Sequence, residues 1–272
     1  MPRTITNTGG TARLLGLVLL ALARVADVGA EDKALRLATE GGYPPFSETA
    51  PDGSLRGLDI DIGNAICAAM KLQCVWIKVD WERMIPALIS NKVDAIVASM
   101  TITEERKAKV AFTSKYYATP LALVGRSEEP LEPRPASLRG RKVGVERGTV
   151  ADDFATRFWD GTGVEIIRYS LQDEAYVDLV AGRLDGVLTD YWQAYGGFLH
   201  RPEGRGYAVR GGKIHGRNAE ERAVIGEGAG IAVRKGDQRL RRTLDQGLAA
   251  IRASGVYDEI IRRYFAEDIY GR

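Results

Sequence analysis

The sequence predicts an α/β fold in two similar lobes, joined by a hinge of two crossovers. An internal echo is the first observation behind this. Leu88-Ile89-Ser90-Asn91-Lys92-Val93-Asp94-Ala95-Ile96-Val97 and Leu179-Val180-Ala181-Gly182-Arg183-Leu184-Asp185-Gly186-Val187-Leu188 each read as a helix end, a tight basic turn, an aspartate and a short buried strand. Five residues past each aspartate stands a polar residue, Ser99 in one copy and Asp190 in the other. The second observation is the alternation, from Ala34 onward, of short apolar runs with amphipathic ones, the rhythm of α/β units. Parallel sheets bind ligands beyond the carboxyl ends of their strands. Two such lobes would therefore aim polar groups from both sides into one shared cleft, an arrangement that favours small-molecule capture.

Strands are expected at Leu35–Thr39, Val75–Val79, Ala95–Ser99, Lys142–Glu146, Glu165–Tyr169, Gly186–Thr189 and Ile231–Arg234, where short apolar runs stand between turn signals. Helices are expected at Asp59–Lys71, Trp81–Ser90, Asp152–Trp159, Asp173–Ala181, Tyr191–Leu199, Gln238–Ser254 and Tyr257–Phe265. In the first of these, Ile60, Ile62, Ile66 and Met70 fall near one face, as a helix packed on a sheet requires. Arg126 to Arg139 is rich in proline and charge and marks a loop just inside the second lobe. Gly204 to Gly230 is glycine-rich and is read as an irregular return. Crossovers near Thr119–Ala122 and Gly211–Gly216 divide the chain into a leader (1–30), a first lobe in two parts (31–120 and 215–272) and a second lobe (121–214). Two adjacent crossovers make a hinge that can close on a ligand.

The leader has the form of a secretory signal peptide. Arg3 and Arg13 precede an apolar run from Leu14 to Ala23, and Val28-Gly29-Ala30 has the small residues of a cleavage site. Ten apolar residues are too few to span a bilayer, which takes about twenty. Of 38 basic and 36 acidic residues, the leader holds Arg3, Arg13, Arg24 and Asp27, so the remainder is balanced at 35 of each. A balanced chain argues against nucleic acid and membrane-surface partners, which call for a basic stripe. Cys67 and Cys74 are the only cysteines, and an even count in an exported chain favours a disulfide. On one continuous helix they would lie about 10 Å apart, too far to bond. They pair if the chain turns back at Lys71-Leu72-Gln73, and remain two buried thiols otherwise.

Candidate site residues gather at strand ends. After Ala95–Ser99 comes Met100-Thr101-Ile102-Thr103-Glu104-Glu105-Arg106, in which Thr103 caps a following helix and Arg106 stands near its start. Arg106 either forks onto a carboxylate with two parallel hydrogen bonds or pairs with a helix glutamate at the surface. Val145-Glu146-Arg147-Gly148-Thr149-Val150-Ala151-Asp152 is a second strand-to-helix turn, where Gly148 permits the sharp bend and the Gly148 and Thr149 amides offer an anion site. Asp190 either meets an amine or caps the helix from Tyr191. Glu40, Tyr43 and Trp81 add an acid and two aromatics at further strand ends. Together these make a trap for a zwitterionic α-amino acid: Arg106 and backbone amides on the carboxylate, Asp190 on the amine, aromatics around the rest. His200 and His215, the only histidines, have no ligand-spaced partner, so neither a metal site nor a Ser-His-Asp set is expected, and no cofactor is called for.

These segments resemble the periplasmic amino-acid-binding proteins of ABC importers, in particular the lysine/arginine/ornithine- and histidine-binding branch, and also the opine-binding receptors. The likeness rests on Ala38-Thr39-Glu40-Gly41-Gly42-Tyr43-Pro44-Pro45-Phe46, Gly57-Leu58-Asp59-Ile60-Asp61-Ile62-Gly63-Asn64, Ile85-Pro86-Ala87-Leu88, Asp94-Ala95-Ile96, Thr101 to Arg106, Val143-Gly144-Val145, Ala181 to Asp185, the Cys67/Cys74 spacing and the tail from Gly255 to Phe265. The resemblance implies the two-lobed periplasmic-binding-protein fold and a monomer that delivers its ligand to the membrane subunits of an ABC permease. It implies that Arg106 holds the α-carboxylate with backbone help from Thr101 and Val150, that Asp190, Ser99 and Thr101 hold the amine, and that Tyr43 and Trp81 sandwich the side chain. Glu40 replaces the aspartate that meets the distal cation in the basic-amino-acid branch. Glu146 stands where that branch tends to have an uncharged residue, and is either a second acid at the same end or an outward charge paired with Arg147. Arginine, lysine or ornithine is the expected ligand, with histidine or an opine as the alternative. A periplasmic cyclohexadienyl dehydratase, whose fold is similar, is the enzymatic alternative, with Glu40 or Glu146 as its acid.

Overall fold

The computed structural model describes residues 1–5 and 34–271. The expectation for the leader therefore falls, beyond its first five residues, outside the described residues.

The first lobe begins with β1 (Leu35–Thr39), followed by a small antiparallel sheet of β2 (Gly42–Tyr43), β3 (Ser47–Thr49) and β4 (Leu55–Arg56). Then come α1 (Leu58–Ala69), β5 (Cys74–Lys78), a 3₁₀ turn at Trp81–Arg83 that leads into α2 (Met84–Ile89), β6 (Ala95–Ile96), α3 (Glu104–Lys109) and β7 (Ala111–Tyr117). The second lobe holds β8 (Leu121–Arg126), α4 (Pro135–Leu138), β9 (Lys142–Glu146), α5 (Val150–Phe158), β10 (Glu165–Tyr169), α6 (Gln172–Val180), β11 (Gly186–Asp190), the short α7 (Tyr191–Gln193) continued by a π-helical turn at Ala194–Leu199, β12 (Tyr207–Ile214) and α8 (Ala219–Ile225). The chain returns with β13 (Ala229–Val233), α9 (Gln238–Ala253) and α10 (Val256–Tyr264).

Both main sheets have one plan. In the order β5-β1-β6-β13-β7 the first three strands are parallel and β13 is antiparallel to both its neighbours. In the order β10-β9-β11-β8-β12 the first three are again parallel and β8 is antiparallel to both neighbours. Successive strand residues point to opposite faces, so each sheet is buried on both sides. Leu37 packs with Ile62, Ile66, Leu244 and Leu248, while Ala38 packs with Met84 and Leu88. In the second lobe Val143 and Val145 meet Phe154 and Trp159, while Val124 and Val187 meet Tyr176 and Leu179.

The echo is a repeated structural joint. Asn91 and Gly182, at matching positions, both turn the chain with positive φ, 59° and 72°. Asp94 N donates to Arg36 O at 2.8 Å while Arg36 N donates to the Asp94 carboxylate at 3.1 Å. Asp185 N donates to Lys142 O at 2.9 Å while Lys142 N donates to the Asp185 carboxylate at 2.8 Å. Each aspartate thus buckles the start of its strand to the start of the neighbouring one. The Arg36 guanidinium forks onto Asp94 and holds its carboxyl down at about 2.

Several expectations are corrected. The strand expected over Ala95–Ser99 is ladder-paired only at Ala95–Ile96, because the chain turns at Ser99 with φ 54°. Trp81–Ser90 is not one helix but a 3₁₀ turn joined to α2. Gly204 to Gly230 is not irregular: β12 runs through it, and Gly211 and Gly212, both at positive φ, lie at a β-bulge between Arg210 and Ile214. The return to the first lobe is later than Gly211–Gly216, between Ile225 and Ala229, because α8 packs on α5. Asn218 caps α8 by accepting from Glu221 N at 2.9 Å, Glu220 pairs with Arg157 at 2.8 Å, and Ile225 joins the core of Leu121 and Phe154. The second lobe therefore extends past 214 to include α8. The outward crossing falls between Tyr117 and Leu121, within reach of the expected Thr119–Ala122.

Cys67 and Cys74 are bonded, with Cα atoms 6.3 Å apart. Helix α1 stops at Ala69 and Lys71, with φ 55°, turns the chain back, while Leu72 N donates to Cys67 O. A loop this short stabilises by about 2–3 kcal/mol through the unfolded chain. Cys67→Ser/Cys74→Ser is expected to lower the Tm by roughly 5–10 °C without changing ligand affinity, measured by circular dichroism and calorimetry. An unchanged melting temperature would contradict this account of the loop.

Candidate functional site

A cleft lies between the two lobes at the carboxyl ends of the parallel strands. Its walls bring together all ten residues singled out above: Glu40, Tyr43, Trp81, Ser99, Thr101 and Arg106 from the first lobe, and Glu146, Thr149, Val150 and Asp190 from the second. Ala151, beside Val150, also lines it, and Ser47, Ala98, Thr119, Leu121 and Thr189 complete the lining and were not anticipated. Thr119 and Leu121 lie on the outward crossover, so a crossing point read from sequence is itself a pointer to lining residues.

Arg106 is buried and makes no surface pair with a helix glutamate. Thr103 caps α3 by accepting from Arg106 N at 3.3 Å, which sets the arginine in the first turn. Its Nη1 donates to Thr101 O and its Nη2 to Gly148 O, each at 3.1 Å. The guanidinium lies 5.1 Å from the centre of the Trp81 ring, and burial pulls its pKa down. A guanidinium has five N–H donors. Two are spent on positioning it, and the rest remain for an anion.

Ser99 is held in its left-handed turn from below. Its Oγ donates to Asp59 Oδ2 at 2.9 Å, its N donates to the Tyr116 hydroxyl at 3.2 Å, and that hydroxyl donates to Asp59 Oδ1 at 2.7 Å. Burial pushes the fully enclosed Asp59 carboxyl up to about 7, with the two hydroxyls holding it lower than burial alone would. Asp59 was missed as a site-shaping residue because an acid in the first turn of a helix already has a sufficient local reason.

In the second lobe Gly148 has φ 70°, and Thr149 caps α5 by accepting from Asp152 N at 3.4 Å. The anion site expected of the Gly148 and Thr149 amides is corrected here. Gly148 N donates to Asp152 Oδ2 at 3.1 Å and Thr149 N to Glu146 O at 3.4 Å, so both are engaged. The amides that face the cleft without an intrahelical acceptor are those of Val150 and Ala151, the first two residues of α5. Gly148 instead contributes its carbonyl, which accepts from Arg106 and from Trp81 Nε1 at 3.1 Å and so bridges the lobes.

Asp190 is a helix cap that also lines the cleft. Its Oδ1 caps α7, accepting from Trp192 N at 2.7 Å and Gln193 N at 3.2 Å, and its side chain lines the cleft. Burial pushes the carboxyl up to about 7 against the pull of those two amides. The turn after α7 lies close against the first lobe: a Cβ on Gly197 would stand 2.4 Å from Pro44 O.

Glu40 and Glu146 form the acidic end. They are 5% and 1% exposed, so Glu146 is not an outward charge; Arg147 instead points to Glu82, 3.9 Å away. Burial pushes Glu40 up to about 7, and pushes Glu146 well above the carboxylate range with the charge of Glu40 adding to it. The cleft therefore gathers the Arg106 cation, the Asp190 carboxyl and the two acids Glu40 and Glu146, with Tyr43 and Trp81 in the same lining. That set of charges suits an α-amino acid with a cationic side chain.

The profile of the bacterial extracellular solute-binding proteins, family 3, matches residues 35–267. The chain is 45% identical over 258 residues to an L-arginine-binding protein of Pseudomonas aeruginosa, covering 95% of this chain and 97% of that one. It is 36% identical to the lysine/arginine/ornithine-binding periplasmic protein of Escherichia coli, over 88% of this chain and 90% of that one. Among solved structures, an ancestral arginine-binding protein bound to arginine superposes with a TM-score of 0.77 at 32% identity, covering 86% of this chain and 98% of that one.

Proposed function

Because the chain belongs to the bacterial extracellular solute-binding proteins of family 3, we propose that it is the periplasmic receptor of an ABC importer for a cationic L-amino acid. Exported by its leader, it closes its two lobes as a monomer on arginine, lysine or ornithine and hands the ligand to the membrane subunits of the permease. Arg106 and the Val150 and Ala151 amides receive the α-carboxylate, Asp190 with Ser99 and Thr101 receives the amine, and Glu40 and Glu146 receive the distal cation between Tyr43 and Trp81.

The observation that carries this reading is the set of buried charges that line one cleft: the Arg106 cation, the Asp190 carboxyl and the Glu40–Glu146 pair. An acidic side chain would meet two acids, and an apolar one would leave them buried without a counter-charge, which is costly. The test is calorimetric titration at pH 8 with arginine, lysine, ornithine, histidine, octopine and glutamate. Binding of one or more of the first three, with none of glutamate, is the expected result. Preference for glutamate or a neutral amino acid overturns the ligand class, and preference for histidine or octopine shifts it within the same receptor type. The protein binds without reacting; conversion of prephenate or arogenate on incubation would overturn that.

A further inference from the structure

The joint that repeats between the lobes also matches the two acids to each other. Asp94 is buckled to Arg36, and Asp185 is buckled to Lys142, by the same pair of backbone and carboxylate hydrogen bonds. Arg36 and Lys142 are therefore equivalent positions on β1 and β9. Four residues on from Arg36 is Glu40, and four residues on from Lys142 is Glu146. Each lobe thus presents a glutamate from the same place, the carboxyl end of the first strand of its parallel set. The cleft brings the two together from opposite sides.

Their oxygens receive no donor from the rest of the chain. Glu40 Oε1 and both Glu146 oxygens are buried with no other side chain or backbone group donating to them, and the two carboxyls stand close enough for Glu146, when protonated, to donate to Glu40. Lys78, the basic group that acts on Glu40, directs its Nζ to Thr49 Oγ1 at 3.1 Å, and the other charged groups facing the pair, Asp80, Asp173 and Glu174, are acids. Buried polar oxygens in folded proteins are normally paired, and two buried carboxyls left with only each other mark a place built for donors the chain does not supply. Two carboxyls presented from opposite sides call for a cation with donors along two edges. A guanidinium is planar, presents five N–H groups, stacks on aromatic faces and is weakly hydrated; an ammonium is a compact, strongly hydrated point with three donors.

We propose that Glu40 and Glu146 are the two jaws of a clamp for a guanidinium, one on each lobe, and that Glu146 makes the receptor prefer arginine to lysine and ornithine. This rests on the reading of the cleft as a cationic amino-acid site and adds a second tie between the lobes, at the far end of the ligand from Arg106.

Calorimetry at pH 8 on the wild type, Glu146→Gln and Glu40→Gln, with arginine, lysine and citrulline as probes, tests it. The wild type is expected to bind arginine about tenfold or more tighter than lysine, with citrulline, uncharged but of arginine's shape, weaker still. Glu146→Gln is expected to weaken arginine by about tenfold or more while changing lysine little, so that the preference collapses. Glu40→Gln is expected to weaken both. Glutamine is close to isosteric and removes a buried acid, so the variants should melt no lower than the wild type, which confirms their folding. A Glu146→Gln variant that keeps the wild-type arginine affinity and preference overturns the clamp and leaves the receptor reading standing. A wild type that binds neither arginine nor lysine overturns both.

Discussion

Arg106→Ala is expected to weaken binding of any α-amino acid by about 3–5 kcal/mol, on the order of 10²–10⁴ in Kd, because it leaves a buried carboxylate without its cation. Arg106→Lys should recover little of this. Lysine keeps the charge but cannot donate to Thr101 O, Gly148 O and a ligand carboxylate from one planar fork. Asp190→Asn is expected to cost a similar amount through the unpaired ligand amine. Asparagine still caps a helix, so the bonds to Trp192 N and Gln193 N survive and the melting temperature should hold near that of the wild type. Asp190→Ala removes both functions and should lose stability as well as affinity. Titration of the three Arg106 and Asp190 variants that keep their fold settles the assignment: unchanged Kd in Arg106→Ala and Asp190→Asn would remove both residues from the site.

Affinity is expected to fall steeply with acidity. Burial raises the carboxyls of Asp190 and Glu40 to about 7, and only their ionised forms pair with a cation. Protons therefore compete with the ligand below that value, by up to about tenfold per pH unit for each carboxyl, and the Glu146 carboxyl, raised further, adds to this, so Kd should rise on the order of a hundredfold or more from pH 8 to pH 6. Stability of the protein without ligand should run the other way. A carboxyl whose folded pKa is raised contributes most below its ordinary value near 4 and loses that contribution as pH rises through about 7. Asp59, Asp190 and Glu40 all act in this direction. The increase in Tm brought by a saturating ligand should consequently grow between pH 5.5 and pH 8. A Kd that is flat across that range would show that the carboxyls are already ionised in the protein without ligand.

Much of the frame was legible because parallel α/β units announce themselves by rhythm. Leu35–Thr39, Lys142–Glu146 and Glu165–Tyr169 are strands over the residues expected. Of the strands that pair antiparallel, Ile231–Arg234 was expected and is β13, whereas β7, β8 and β12 break that rhythm and were missed. Ala111–Tyr117 alternates irregularly through Ser114 and Lys115, and Tyr207–Ile214 is interrupted by the glycines of its bulge. Helix α8 was hidden for the same reason, between Gly216 and Gly226. At the cleft Asp59 was not singled out, since an acid in the first turn of a helix gives no signal of lying beneath a cleft. Asp190, read as either an amine partner or a cap, is a cap whose side chain also lines the cleft. The direction of backbone groups was beyond reach: nothing in Gly148-Thr149 says that a carbonyl rather than an amide is presented to Arg106.

The matched buckles at Asp94 and Asp185 separate what is common to the two halves from what is particular. They lie at the amino ends of the strands, remote from the cleft, and fasten neighbouring strands by the same bonds in each half. The opposite ends carry Ser99, Thr101 and Arg106 in one half and Glu146, Thr149 and Asp190 in the other. A substitution at the mouth therefore changes what is recognised without loosening the chassis, whereas one at Asp94 or Asp185 loosens the chassis and leaves recognition chemistry intact. Ligand preference in such a molecule can be retuned one wall at a time.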